Sequence, residues 1–96
     1  MAYTRQQTLT AGTVATFTFD DNSSGVRIVN RSATEAFVTI GDTGSVPANP
    51  TVAGNNTELL PGVIGATIEQ QRLSSNPIVV KVISSGTPAI TVGGIN

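Results

Sequence analysis

Along most of the chain apolar and polar residues alternate with a period of two, the spacing that puts successive side chains on opposite faces of a β-strand. In "TVATFTF", residues 13–19, Ala15, Phe17 and Phe19 fall on one face and Val14, Thr16 and Thr18 on the other. β-Branched and aromatic residues in that order suit a pleated, half-buried surface. The same alternation predicts strands in "VRIVN" and "EAFVTIG", where Val26 and Ile28 share a face, as do Ala36, Val38 and Ile40. The link between them, "RSAT", has hairpin length, so these two strands are expected to pair. Val29 and Phe37 point the other way and leave this pair apolar on both sides. That implies either a covered outer face or a contact between subunits.

Turn chemistry separates the strands. "DDNSSG" and "SGTP" are short, polar and glycine-bearing, and "LLPG" places a proline with fixed φ before a glycine. After "LLPG", Ile64, Ala66 and Ile68 alternate with Gly65, Thr67 and Glu69. "IVVKVIS" and "AITVGG" are expected to close the chain as a pair, with Lys81 an outward charge that discourages edge-to-edge pairing. "EQQRLSS" fits one helical turn or a strand end running into a loop. A less regular opening strand at residues 3–9 brings the count to about seven, which predicts an all-β, antiparallel β-sandwich or jelly-roll-like domain. One domain spans residues 1–96, with an N-terminal strand or arm over residues 1–10.

Residues 41–57, "GDTGSVPANPTVAGNNT", break the pattern. Unstructured connections beyond about 12–15 residues are uncommon in compact domains. Disordered segments tend to be strongly charged, whereas this one carries Val46, Pro47, Pro50 and Val52 with one acid near its start. Prolines stiffen it, so the expectation is an extended arm, able to reach roughly 50 Å, ordered by packing against another subunit or a supporting lattice. With Val29 and Phe37, these four residues are the candidate protein-interaction positions.

Composition narrows the function classes. Charged residues make up 11% of the 96-residue chain, against about 25% in typical soluble domains. The net charge is −1, and the five basic residues are scattered, so no stripe is available to neutralise nucleic-acid phosphates. The chain has no cysteine and no histidine, which removes thiolate chemistry and the commonest acid–base group and metal ligand. No apolar run suggests a signal peptide or a membrane span, so the chain is expected to be made as a soluble cytoplasmic product, or to leave by another route. "DDNSSG" matches the first half of a calcium loop, but the position that must supply a bidentate glutamate is Arg31. No metal, cofactor or catalytic residue is therefore assigned. Neither the acids nor Lys81 with Ser84 or Ser85 sits in a catalytic signature. A sugar platform needs flat exposed aromatics, and outside the expected core only Tyr3 and Phe37 remain.

From Val26 to Gly94 the chain resembles small β-sandwich virion proteins of tailed bacteriophages, of the capsid decoration or head-associated type. The resemblance rests on "VRIVNRSATEAFVTIG", then "LLPG", then "VVKVISSGTPAITVGG". It implies a non-enzymatic cement protein on the outer capsid surface of a virion, bound in many copies to the major capsid protein lattice and to itself as a homo-oligomer, often a trimer. The alternative is a tail, fibre or baseplate adhesin module that binds host-surface carbohydrate.

Overall fold

Strands form where the alternation is strongest. A computed structural model describes residues 4–19, 23–55, 57–72 and 74–95. It contains β1 (Thr4–Thr8), β2 (Ala15–Phe19), β3 (Gly25–Asn30), β4 (Ala36–Asp42), β5 (Glu58–Leu60), β6 (Thr67–Gln71), β7 (Ile78–Ile83) and β8 (Ala89–Ile95). The expected opening strand is β1. Tyr3 lies outside the described residues. The additional strand is β5, whose leucines the sequence pattern assigned to a turn. "EQQRLSS" resolves as the end of β6 and a bend after it.

The strands make two four-stranded sheets, ordered β1-β8-β3-β6 and β2-β7-β4-β5, with every pair antiparallel. The pairings nest: β1 with β8, β2 with β7, β3 with β6 and β4 with β5. The chain is thus one long hairpin folded over on itself, with the segment between β4 and β5 at its tip. Winding this hairpin adds the pairs β3·β8 and β4·β7. This is a jelly-roll sandwich.

Two expected pairings are corrected. β3 and β4 lie in different sheets, and so do β7 and β8. Alternation reports that a strand has one buried face, and it reads the same in either sheet, so it cannot separate a hairpin from an arch that crosses the sandwich. The side chains at the strand ends decide the matter. Asn30 is fully buried; its Nδ2 donates to the Thr34 and Pro61 carbonyls at 2.8 and 2.9 Å, and its Oδ1 accepts from the Ser32 amide at 2.9 Å. Buried Ser84 donates through Oγ to the Glu35 carbonyl at 2.7 Å and accepts from the Gly86 amide at 3.1 Å. These groups satisfy backbone atoms that a hairpin ladder would otherwise have paired, and the chain can cross between layers.

The interior between the sheets is filled by Phe17, Phe19, Val26, Ile28, Val38, Leu60, Val80, Val82, Ile90 and Val92, with Leu9 and Ile78 at its margins. Lys81 does point outward, but β7 is a central strand, so its charge does not guard an edge. At the opposite end to Asn30, the Arg72 guanidinium donates to the carbonyls of Ser23, Ser74, Ser75 and Asn76, tying the β2–β3 connection to the β6–β7 connection.

Asn30→Ala would remove the side-chain partner of the part-buried Thr34 and Pro61 carbonyls and Ser32 amide and leave a gap where the buried Asn30 side chain stood. Unfolding free energy should fall by about 3 kcal/mol, since each buried unsatisfied group costs about 1–3 kcal/mol. A urea titration measures this as a lower midpoint at unchanged slope.

Candidate interaction surface

The tip segment between β4 and β5 does not extend away from the domain. It folds back over the outer face of the β2-β7-β4-β5 sheet. Register sets Phe37 beside Ile83, Thr39 beside Lys81 and Gly41 beside Val79. These alternate with Val38 and Ile40, which face the core, and so they point outward. Thr39 Oγ1 donates to the Ala48 carbonyl at 2.9 Å, and Lys81 Nζ donates to Asn49 Oδ1 at 2.8 Å. Gly41 permits the close approach: a Cβ there would lie 2.8 Å from the Ser45 carbonyl oxygen and 2.9 Å from Pro47 Cδ. Phe37, Val79 and Ile83 are buried although none belongs to the interior cluster, and Pro50 is fully buried. The apolar outer face is covered by the chain's own loop. The expected outreaching arm is thereby corrected: proline stiffness and apolar side chains serve a cover, because the sheet beneath supplies the apolar surface they pack on.

The loop is clamped at its start. Asp42 Oδ1 accepts from the Gly44 and Ser45 amides at 2.8 and 2.7 Å, and Oδ2 accepts from Ser74 Oγ at 2.8 Å. The Ser74 hydroxyl, followed by the Ser45 amide, holds the Asp42 carboxyl below its ordinary value of 3.8, and burial opposes them only in part. Farther on, the Thr51 carbonyl accepts from the Gly54 amide, and Thr57 Oγ1 donates to the Gly54 carbonyl at 2.7 Å. These turns bring the chain back into β5.

The six sequence-derived interaction positions do not form one patch. Val46 and Val52 are exposed on the loop, at 61% and 43%. Pro47 is half-buried and Pro50 buried, so both hold the loop down from within. Phe37 is 8% exposed, beneath the cover. Val29 is half-buried on the outer face of the other sheet, flanked by Thr67 and Thr91. Sequence reasoning missed Leu59, Val63 and Ile64, which are 50%, 64% and 72% exposed. Ile64 was expected to point inward along a strand, but the strand begins only at Thr67. Apolar residues crowded around Pro61, Gly62 and Gly65 were the signal available: turn residues cannot all face a core. Every large apolar side chain exposed among the described residues lies between Val46 and Ile64.

Outside that stretch no large apolar side chain is exposed among the described residues. On the other sheet's outer face the Arg27 guanidinium pairs with Glu69 at 2.8 Å, beside an open depression of about 700 Å³ that Ser24, Gln71 and Ile95 also line. Both partners are exposed, and such pairs are worth little in water. Among the described residues no three His, Cys, Asp or Glu side chains gather as a metal site. Asp20, Asp21 and Asn22 of the calcium-like stretch lie outside the described residues, and no helix is long and apolar enough to cross a membrane.

No protein-family model matches the chain, and no curated protein matches it in sequence. Among solved structures it is similar to a de novo designed double-stranded β-helix, determined by solution NMR, at 13% identity and a TM-score of 0.57 over 96% of each chain. That likeness concerns the fold alone.

Two outcomes follow from the covered face and the clamp. Phe37→Ala should destabilise the fold by about 3 kcal/mol, as truncation of a buried aromatic does, and be read in the same urea titration. Asp42 has a lowered folded-state value, so its contribution to stability is complete above the ordinary value of 3.8 and is lost as pH falls through the folded-state value. Asp42→Asn should therefore flatten the acid limb of stability against pH below about 4, where carboxylates titrate, while leaving its shape at neutral pH unchanged.

Proposed function

We propose that this chain is a non-enzymatic structural protein of a bacteriophage virion, a capsid decoration protein that sits on the outer shell and stabilises it through many small contacts. The observation that carries the reading is that, among the described residues, every exposed large apolar side chain lies between Val46 and Ile64, on a chain of which 11% is charged. Such a segment is a contact surface for protein. It lacks the charge a nucleic-acid partner would require. The resemblance of "VRIVNRSATEAFVTIG" and "VVKVISSGTPAITVGG" to head-associated proteins supplies the setting.

In this reading Val46, Val52 and Leu59 meet the major capsid protein lattice. Phe37, Pro47 and Pro50 act beneath them by fixing the loop's shape before binding, which lowers the entropy lost on attachment. Fully burying a Val, Leu or Ile side chain is worth about 1.5–3 kcal/mol, so one copy binds modestly. Repetition over a lattice converts modest contacts into firm attachment. With so few charges at the surface, attachment should depend weakly on ionic strength.

Quantitative mass spectrometry of purified particles tests the assignment. A copy number equal to that of the major shell protein, or a simple fraction of it, is expected. A handful of copies per particle would instead favour the tail, fibre or baseplate reading, and absence from particles would overturn both. Dissociation that rises steeply with salt would contradict the apolar mechanism.

A further inference from the structure

The tip segment is fastened to the sheet beneath it at few points, and those points differ in chemistry. Thr39 Oγ1 holds the Ala48 carbonyl, Lys81 Nζ holds Asn49 Oδ1, and Pro50 is buried. A hydroxyl and a proline do not titrate in acid, and a lysine stays charged there. Residues 43–57 contain no charged side chain. The further fastening is the Asp42 carboxylate, and of these it alone changes charge as pH falls.

Asp42 joins the tip segment to the β6–β7 connection. Its Oδ1 takes the Gly44 and Ser45 amides from the first, and its Oδ2 takes the Ser74 hydroxyl from the second. The Thr43 amide donates to the Pro77 carbonyl at 3.1 Å, so the chain is pinned as far as Thr43 whatever the charge on Asp42. Gly44 is the first residue able to swing when the carboxylate lets go. The charged groups around the site are directed elsewhere. β4 carries no other charge, and on β7 the one charge, Lys81, is turned to Asn49. The Arg72 guanidinium, on the β6–β7 side, donates to the carbonyls of Ser23, Ser74, Ser75 and Asn76.

We propose that the tip segment is an acid-released strap: when Asp42 takes up a proton, residues 44–55 lift from the outer face of the β2-β7-β4-β5 sheet and uncover Phe37, Val79 and Ile83 while the sandwich stays folded. Oδ1 cannot take the proton without expelling the Gly44 and Ser45 amides, so the proton goes to Oδ2. There Ser74 Oγ, which already accepts from the Asn76 amide at 3.1 Å, turns from donor to acceptor. The two amides are left on a neutral oxygen, and hydrogen bonds to a neutral group are about half as strong as those to a charged one. The sign of the titration agrees. The Ser74 hydroxyl, followed by the Ser45 amide, holds the carboxyl below 3.8, so the strap is fully fastened above that ordinary value and loosens as pH falls through the lower one. Little else retains the segment. Pro50 alone among residues 43–55 is buried, and segments with few buried apolar groups open before the body that carries them. The body itself is poorly placed to burst in acid: with every carboxylate protonated, its side chains carry five positive charges over 96 residues, and self-repulsion is small.

Nuclear magnetic resonance on the purified full chain, from about pH 6 down to about pH 2, spans carboxylate titration and tests the strap. In wild type the Gly44 amide, corrected for its intrinsic exchange rate, should lose protection about tenfold in acid. A neutral gadolinium chelate in the buffer should relax the Val79 and Ile83 methyls more strongly there, while those of Ile28 and Ile90, in the interior, stay shielded. Asp42→Asn should show the acid behaviour at both ends of the range, because its amide is neutral throughout. Ser74→Ala keeps the carboxylate but removes the contact that lowers its value most, so the step should move to higher pH; this variant also carries the test if Asp42→Asn does not fold. Gly44 protection that is flat across the range, exposure of Ile28 and Ile90 together with Val79 and Ile83, a step that persists in Asp42→Asn, or one unmoved by Ser74→Ala would each overturn the proposal. The strap does not depend on the virion reading: absence from particles leaves it standing, and a flat profile leaves the copy-number result unaffected.

Discussion

The antiparallel pairing of β4 with β5 is the constraint on which the architecture depends. Once Ala36, Phe37 and Val38 lie against Leu60, Leu59 and Glu58, the strands on either side are brought past one another in order, β3 to β6, β2 to β7 and β1 to β8. Each later pairing joins residues farther apart in sequence. The contacts are correspondingly non-local, a property that slows folding in all-β domains. A short β5 suffices because Leu60 is fully buried in the interior and Leu59 stands beside Phe37.

Seen this way the tip segment has two tasks. It closes the innermost turn, and it covers an outer sheet face that would otherwise expose Phe37, Val79 and Ile83. An uncovered patch of that kind invites aggregation. Thr39 and Lys81 reach up from the sheet to fasten the cover, and Asp42 fixes the direction in which it departs. Among the described residues the remaining large apolar exposure lies between Val46 and Ile64, a segment whose backbone is held at Ser45, Ala48, Gly54 and Gly65. That combination, exposed apolar side chains on a fixed backbone, distinguishes a contact surface from a loose loop.

Much of this was legible in the sequence. Phe17, Phe19, Val26, Ile28 and Val38 announced the core through alternation alone, and the all-β sandwich followed from them. Partner choice was not legible, because an arch and a hairpin of four or five residues share the same turn chemistry. Nothing in the sequence marked Asn30, at a strand end, or Ser84, weighed only as a partner for Lys81, as the side chains that reach carbonyls of other connections. The long loop was expected to be a stiff arm ordered by packing on a neighbour, whereas it lies against the chain's own sheet. Whether Pro47 and Pro50 pack on a neighbour or on the chain's own sheet depends on how the whole hairpin folds over. Ile64 was misplaced because the alternation before Thr67 continued through a turn.

The pairing of Thr4 with Gly93 brings the two ends of the described chain out side by side. A load applied through both ends would open β1 from β8 one rung at a time, like a zip, the direction in which an antiparallel ladder resists least. A load borne on the flank or on the sheet faces meets many rungs in parallel and spreads through the packed interior. The body is therefore mechanically anisotropic, soft when pulled by its ends and stiff when compressed or sheared through its sides. An attachment made through its sides would place force where the fold is strongest.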